Sequence, residues 1–506
     1  MPVISVIEIS PTSVEMIICE KSKDNIKVLE NVNEELNIFL DSEKNNYISY
    51  EKGKKLCNIL NRMKSLSKDY GVKDILTVTT SSVNSVKNLL FILDQIKIKV
   101  GLEVTVLTSF EKKKLLFKKF LIKKNEIIPP KKNTLLLNIG SATTDFFVIN
   151  GKKLMINEFI STGGYKFAEI INNYELTPKE STNFIQEYIE NYLNEIKKEV
   201  GRKKIDSLIL LGESENIFTK TKGMFSNLSY EKLEKTMEDL SEESFKNITQ
   251  KYSLTPLQSI TTFARLSLLK YIAYYFEIPT VKIFYYDTKY LMAYEHFFPK
   301  EKENMEKELW ELTVQAVIDK ASKFTFDKNH STFVQKVSKD FFDALKPLHN
   351  MLEMEKRHLE LAAFLHDIGK YINFSSHQNH SQYIITNSFI PGLTEKDLEV
   401  VGLLCYFHNI AFSKYSENID NITGKSQMDI MKLAAILKVS VALDRSKRQK
   451  VKNIKFELKD HEIIIDVTTQ EDYRIETIFF DHQKTFFRDV FGINPVLKVN
   501  RRLYGD

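Results

Sequence analysis

The order of apolar and polar positions predicts an α/β start. Val3 to Ile9 and Val14 to Cys19 are short apolar runs around a Ser-Pro-Thr-Ser turn, the pattern of two strands. Helical and strand-like runs then alternate: Tyr50 to Tyr70 as helix, Ile75 to Thr80 as strand, Val83 to Lys99 as helix, Val104 to Thr108 as strand and Phe110 to Lys123 as helix. The polar stretch Asn125 to Asn133, with Pro129 and Pro130, predicts a linker.

The pattern then restarts. Thr134 to Ile139 and Asp145 to Ile149 flank a small-residue turn, Asn150-Gly151 signals a hairpin, and Lys153 to Ile160 supplies a third strand. The two starts align at an offset of 130, VIEISPTSVEMIIC from Val6 against LLNIGSATTDFFVI from Leu136. Glu8 falls on Asn138, Ser10 on Gly140, Ser13 on Thr143 and Glu15 on Asp145. A repeated strand, hydroxyl-rich turn and strand suits two facing phosphate-binding hairpins, since backbone amides in such turns form an anion nest. Two ordinary hairpins are the alternative; the recurrence at the head of each lobe favours a cleft.

Further along, Ser181 to Glu199 and Pro256 to Tyr275 predict helices, and Leu208 to Leu211 (ending in Gly212) and Val281 to Tyr286 predict strands. Lys302 to Gln449 is helical in period. In the last segment, Ile454 to Leu458, Glu462 to Val467 and Ile475 to Phe480 alternate as strands, with Lys484 to Val490 helical. The expected domains are 1–125, 126–300, 301–449 and 450–506, a division that suits 506 residues at about 100–200 per domain.

Composition narrows the class. Hydrophobic residues make up 43% and charged residues 27%, which excludes a disordered polar chain. Cys19, Cys57 and Cys405 lie far apart in apolar runs, against a disulfide framework or a thiolate zinc site and for a reducing cytoplasm. The start, MPVISVIEIS, lacks a basic and apolar leader, and no run reaches about 18 apolar residues, so a soluble chain is expected. The net charge of +5 is too small to argue for nucleic acid. From Lys112 to Lys132 there are nine lysines and one acid, Glu126; the solvated face of an amphipathic helix is the expected reading of the run, with Lys112 itself set aside as an anion contact. All ten histidines lie at or beyond His296, so the two halves carry different chemistry.

The opening hairpin, the NIGSATTD turn, the segment LAAFLHDIGKYINFSSHQNHSQYIITNS and the late KTFFRDVFGINPVLK together resemble the exopolyphosphatase and guanosine pentaphosphate phosphohydrolase family. The resemblance implies two actin-like (ribonuclease H-like) α/β lobes, an all-α HD-type domain and a small α+β C-terminal module. It also implies a cytoplasmic homodimer that removes terminal phosphate from inorganic polyphosphate or guanosine pentaphosphate (or binds the tetraphosphate) in the cleft between lobes. By resemblance, phosphates lie on Ser10, Thr12, Ser13, Gly140, Ser141, Thr143, Thr144, Gly163, Gly164, Lys166 and Gly212, with Glu8 and Asp145 toward Mg²⁺.

Several positions depart from the family pattern. Its leading Asp is Asn138, and two of its glycines are Ser141 and Ala142. Its general-base glutamate falls on Lys112, leaving Glu111 as the available base, about a quarter of a turn away. The loop Gly212-Glu213-Ser214-Glu215 places two carboxylates where phosphate is expected, and Tyr290 to Tyr294 replaces a Gly-Leu-Arg-Glu-Gly-like stretch. In the histidine region, His366-Asp367 with His330 upstream and His377, His380 and His408 downstream matches most of an HD metal pattern, and the ligand set implied is His330, His366, Asp367, His380 and His408, for Mn²⁺ or Fe²⁺. The closing Asp of that pattern is Val441, with Asp444 three residues on. Three functions stay open on sequence: a phosphohydrolase using the cleft, a non-catalytic polyphosphate or alarmone sensor, and a phosphohydrolase using the HD site.

Overall fold

A computed structural model describes residues 2–501 except 11–12, 24, 37, 39–46, 80–85, 109, 116, 119–120, 122–131, 141–142, 152, 202–203, 213–224, 286–287, 325 and 410–426. The chain forms two compact units, Met1–Leu312 and Thr313–Asp506. It passes from one to the other within the helix Pro299–Ala321.

The first unit is built on one topology used twice. Its first sheet holds β1 (Val3–Ile9), β2 (Ser13–Lys21), β3 (Ile26–Glu35), β4 (Asp74–Thr79) and β5 (Val104–Val106), in the order β3-β2-β1-β4-β5. Its second holds β6 (Asn133–Ile139), β7 (Thr144–Asn150), β8 (Lys153–Ile160), β9 (Ser207–Gly212), β10 (Phe225–Ser229) and β11 (Thr280–Tyr285), in the order β10-β11-β9-β6-β7-β8. In each, an antiparallel three-strand meander is extended by two parallel strands after a helical crossover, and the second sheet adds β10 antiparallel to β11 at its edge. The offset of 130 holds in the strand register: Glu8 pairs with Glu15 and Asn138 with Asp145. It holds in the turns too, where the Ser10 amide donates to the Ser13 carbonyl at 2.8 Å and the Gly140 amide to the Thr143 carbonyl at 2.9 Å.

Helices cover the sheets through apolar stripes. Ile185, Ile189, Leu193, Ile196 and Val200 recur along the helix Pro178–Val200 and are buried with Phe146, Val148 and Phe167 under the second sheet. Thr177 and Glu180 close a capping box at its start. Two helices change lobe. Residues 110–115 are helical after β5, yet Phe117 just beyond them packs edge-to-face on Phe147 of β7, centroids 4.5 Å apart. The helix Thr288–Phe297 follows β11 and buries Ala293 and Phe297 with Ile4, Val6, Ile17 and Cys19 of the first sheet. The segment expected as the end of the second lobe therefore completes the first.

The second unit packs helices around Leu359 to Leu365 and Ile430 to Leu443 and ends in a sheet of β12 (Val451–Leu458), β13 (Glu462–Thr469) and β14 (Asn494–Arg501). Phe341 stacks on Phe456 at 4.7 Å and on Phe487 at 5.5 Å, which ties the terminal module to the helices. The expected strand Ile475 to Phe480 is instead the start of the helix Arg474–Phe491. Its buried positions, Glu476, Phe480, Phe486, Phe487, Val490 and Phe491, follow a helical period that the short apolar window Ile475 to Phe480 concealed. The third strand is β14, parallel to β13. β3, a half-exposed edge strand of mixed polarity, and β10 were not expected from the pattern.

Gly369 sets the spacing of the histidine region. Its backbone lies so close to the helix His377–Thr386 that a Cβ would overlap the His377 carbonyl oxygen and the Ser381 amide nitrogen. Ser381 uses the approach, accepting from the Gly369 amide at 2.9 Å and donating to the His366 carbonyl at 2.9 Å. Gly369→Ala should therefore cost about 1–3 kcal/mol or more of stability in chemical denaturation; an unchanged midpoint would contradict the contact.

Candidate functional site

The cleft of the first unit carries its predicted carboxylates at the ends of β1, β2 and β7, and each lobe's set meets a lysine from a helix that has changed lobe. Lys113 is 8% exposed, and its Nζ lies 2.9 Å from Asp145 Oδ1, placed obliquely, so the pairing is electrostatic more than a directed hydrogen bond. The same ammonium sits 3.7 Å from the Phe159 ring centroid. The second Asp145 oxygen accepts from Asn138 Nδ2 at 3.0 Å. On the other lobe, Lys289 Nζ donates to Glu15 Oε2 at 2.8 Å and lies 3.9 Å from Glu8 Oε2, while Ser13 Oγ donates to Glu15 Oε1 at 2.9 Å.

These contacts decide the fit of Mg²⁺. A hard dication needs several oxygens free to face it. Here Asp145 is held between an ammonium and an amide donor, Asn138 supplies an N–H where a second carboxylate is expected, and Glu8 and Glu15 face Lys289. The described residues of the cleft do not fit Mg²⁺.

Glu111 has a structural task. Its carboxylate accepts from the Thr108 amide at 2.7 Å, and Thr108 Oγ1 accepts from the Glu111 amide at 3.2 Å, a reciprocal helix cap. Lys112 points to solvent on the next position of the helix. Beyond them, Lys118 pairs with Glu295 at 2.9 Å and with Glu306 at 2.5 Å, so part of the lysine run is internal. Gly163 caps the helix Gly164–Asn173, the Gly164 amide donates to the Gly140 carbonyl at 2.9 Å, and exposed Lys166 donates to the Ser161 carbonyl at 3.2 Å. Thr144 Oγ1 is spent on the Thr162 carbonyl at 2.9 Å. Thr12, Ser141 and the Glu213 to Glu215 loop after Gly212 lie outside the described residues.

The second unit gathers its histidines. His330, His366 and Asp367 form one group and Asp367, His377 and His408 another, the potential ligand atoms of each within 4.8 Å of one another. His380, one helical turn past His377, belongs to neither and is only half-buried. His366 Nδ1 faces the Ala363 carbonyl at 2.9 Å, His377 Nδ1 the Phe374 carbonyl at 3.1 Å and His408 Nδ1 the Cys405 carbonyl at 2.5 Å. A carbonyl only accepts, so each Nδ1 carries the proton and each Nε2 a lone pair. His330 Nδ1 faces Asp444 Oδ2 at 2.8 Å with the same consequence.

Among the described residues, no side-chain or backbone donor faces these converging lone pairs. His377 Nε2 and His408 Nε2 lie 3.3 Å apart, each a lone-pair nitrogen, and fully buried His366 Nε2 has no hydrogen-bond partner. Asp367 Oδ1 is 3.6 Å from His366 Nε2 and 3.5 Å from His377 Nε2. Burial holds His366 down at about 4, His408 well below the ordinary imidazole range and His377 below it, so protons do not fill the gap at neutral pH. Burial alone would raise Asp367, but the positive charges facing it outweigh that: His366 when protonated, and Lys370 and Lys447 throughout. Each lysine Nζ lies 2.7 Å from Asp367 Oδ2. Imidazole nitrogens with one carboxylate are a donor set for a divalent transition metal, and the orphaned lone pairs show that the residues fit one.

The comparisons agree with this architecture. The model described as "Ppx/GppA phosphatase family" matches residues 17–262, and the one described as "Ppx/GppA phosphatase, domain III" matches 312–482. The chain belongs to the Ppx/GppA phosphatase family. The fold is shared with an exopolyphosphatase from Cytophaga hutchinsonii at a TM-score of 0.50 and 15% identity, over 59% of this chain and 98% of that one. An Aquifex aeolicus Ppx/GppA family member is similar at a TM-score of 0.49 and 15% identity, over 59% and 98%. A curated relative, guanosine-5'-triphosphate,3'-diphosphate pyrophosphatase of Aeromonas salmonicida, is 29% identical over 124 residues, so the match spans 24% of this chain and 24% of that relative.

Within the Ppx/GppA frame, sequence reasoning passed over Lys113 and Lys289; it named His377 in the histidine pattern but left it out of the ligand set, and noted Asp444 beside Val441 without its partnership with His330. Val441 lines the histidine recess at the place of the expected Asp. A signal existed for Asp444, which stands three residues after Val441. Lys113 gives a test of the cleft. Lys113→Met should cost about 3–5 kcal/mol by stranding the buried Asp145 carboxylate. Millimolar Mg²⁺ should restore part of that loss in the variant and leave the wild-type melting curve unmoved; Mg²⁺ stabilisation of the wild type through the cleft would overturn this account of the pair.

Proposed function

We propose that the chain is a metal-dependent phosphohydrolase whose hydrolytic centre is the histidine and aspartate recess of the second unit, while the cleft of the first unit performs no divalent-metal chemistry. The observation that carries this reading is the convergence of the Nε2 atoms of His366, His377 and His408 on Asp367, with His366 Nε2 unpartnered among the described residues. Family membership supports the reaction class at the level of a phosphatase.

His330, His366, Asp367, His377 and His408 would hold the ion. When bound, a divalent metal such as Mn²⁺ or Fe²⁺ lowers the pKa of a coordinated water and polarises a phosphoryl oxygen. The chain does the rest. Backbone carbonyls and Asp444 fix the imidazole tautomers, and Gln449 holds Asp444 in turn, through its amide at 2.8 Å and its side chain at 3.1 Å. Lys370 and Lys447 are placed to hold phosphate oxygens beside the carboxylate they now pair with.

The cleft supports a second role. Its two turns are closed by matching backbone hydrogen bonds, at Ser10 to Ser13 and at Gly140 to Thr143, so binding of polyphosphate or a guanosine polyphosphate without hydrolysis there, as in a sensor, is compatible with its lysine-paired carboxylates.

Phosphate release from polyphosphate and guanosine pentaphosphate, with Mn²⁺ present, separates the sites. Asp367→Asn should abolish turnover, Asp444→Asn should lower it by about 10- to 100-fold, and Glu111→Gln should leave it unchanged in a folded protein. Turnover lost in Glu111→Gln and kept in Asp367→Asn would return the chemistry to the cleft.

A further inference from the structure

One wall of the histidine recess is a turn held from the terminal module. Residues 443–450 follow the helix Gln427–Ala442 and lead into β12, and within them Arg445 and Lys447 line the recess. Lys447 and Gln449 both stand in the left-handed region, at φ 57 and φ 48, a conformation that non-glycine residues keep only where their surroundings hold it. Within the turn, Gln449 donates to the Lys447 carbonyl at 2.8 Å and to Asp444 Oδ2 at 3.1 Å.

The hold comes from the side away from the histidines. Glu476, fully buried in the first turn of the helix Arg474–Phe491, accepts from the Ser446 amide at 3.1 Å through one carboxylate oxygen and from Lys450 Nζ at 3.0 Å through the other. Lys450 Nζ also donates to the Asp472 carbonyl at 2.8 Å, and the Lys450 carbonyl accepts from Thr469 Oγ1 of β13 at 3.0 Å. Burial by itself would raise the Glu476 carboxyl; the hydrogen bonds from Ser446 and Lys450 outweigh it and leave the group below its ordinary value, hence ionised. Tyr473 and Phe479, three residues to either side, lie on the same face and act on the same turn. Tyr473 Oη donates to the Leu443 carbonyl at 2.5 Å, and the guanidinium carbon of Arg445 lies 4.3 Å from the Phe479 ring centroid.

From this arrangement we infer that Glu476 is a positioning residue of the recess: by anchoring the turn at Ser446 and Lys450 it keeps Lys447, which lies between them, aimed beside Asp367, and so makes the terminal module a working part of the hydrolytic centre. The inference rests on the proposed hydrolytic centre and adds a residue outside its ligand set on which it depends. A buried ion pair gains little net stability over an apolar pair of the same shape, but it fixes direction. Released from Glu476, the two left-handed residues relax, and the Lys447 ammonium, 2.7 Å from Asp367 Oδ2, loses its place. Gln449 ties the turn to Asp444 independently of Glu476, so the histidine cluster keeps its metal when that anchor is cut.

The test is calorimetric binding of inorganic tripolyphosphate to the full-length, Mn²⁺-loaded protein, with bound manganese counted and phosphate release from polyphosphate followed on the same samples. Glu476→Gln keeps an acceptor for the Ser446 amide and removes the charge that holds Lys450. It should weaken tripolyphosphate by about tenfold and raise KM with kcat little changed, at unchanged manganese content. Lys447→Gln should weaken the probe as much, and Glu476→Gln should add nothing further in that background, because both act through one ammonium. Tyr473→Phe, which loses only a hydroxyl, should act in the same direction and more weakly, and it supplies the readout if Glu476→Gln does not fold. Losses that add in the double variant, or full affinity kept in both Glu476→Gln and Tyr473→Phe, would overturn the positioning role and leave the hydrolytic centre standing. A wild-type protein without bound manganese would overturn the hydrolytic centre and this inference with it, so the manganese content tells the two failures apart.

Discussion

The first unit depends on the neutralisation of buried carboxylates by lysines that arrive on helices belonging, by chain order, to the opposite lobe. Helix 110–115 carries Lys113 to Asp145, and Thr288–Phe297 carries Lys289 to Glu15 and Glu8. Each helix also buries, or is followed by, apolar side chains on the sheet it reaches, Phe117 on Phe147 and Ala293 with Phe297 on the first sheet. Charge pairing and packing therefore act together to hold the lobes. An ion pair of this burial gains little net stability over an apolar pair, but losing one member strands a charge, so neither lysine is dispensable. Among the described residues, the same pairing leaves the cleft no carboxylate set for a divalent ion.

The second unit answers the opposite problem. Its buried groups are neutral imidazoles whose protons are already committed to carbonyls and to Asp444, so the electron pairs left over converge without a partner. Opposed lone pairs on buried imidazoles cost free energy until a cation or a donor lies among them. A carboxylate cluster can be neutralised from within by lysines, as in the first unit. A cluster of lone-pair nitrogens at low pKa calls for an external cation. The contrast between these two buried sites is the physical basis for placing the hydrolytic chemistry with the histidines.

Much of this was legible in the sequence. The offset of 130 that aligns Glu8 with Asn138 and Glu15 with Asp145 reappears in strand register and in both turn hydrogen bonds, because the repeated apolar strands and small turn residues fix local geometry directly. The His366-Asp367 pair was likewise visible, and its neighbours His330 and His408 join it. Long-range partnerships were not. Nothing in the run of lysines distinguishes Lys113, which turns inward, from Lys112, which faces solvent; one residue of helical rotation separates them. The choice between His377 and His380 is set by how closely Gly369 lets that helix approach, a tertiary contact without a periodic trace. The window Ile475 to Phe480 misled because alternating apolar residues over so few positions fit either period.

The central claim is that the divalent-ion site of this chain lies at the histidine cluster and not in the cleft. Equilibrium dialysis against Mn²⁺ with elemental analysis of the bound metal tests it most directly, comparing the wild-type protein with Asp367→Asn and Asp145→Asn. The account predicts tightly bound manganese in the wild type, retained in Asp145→Asn and lost in Asp367→Asn. Manganese that survives Asp367→Asn and disappears with Asp145→Asn would contradict it.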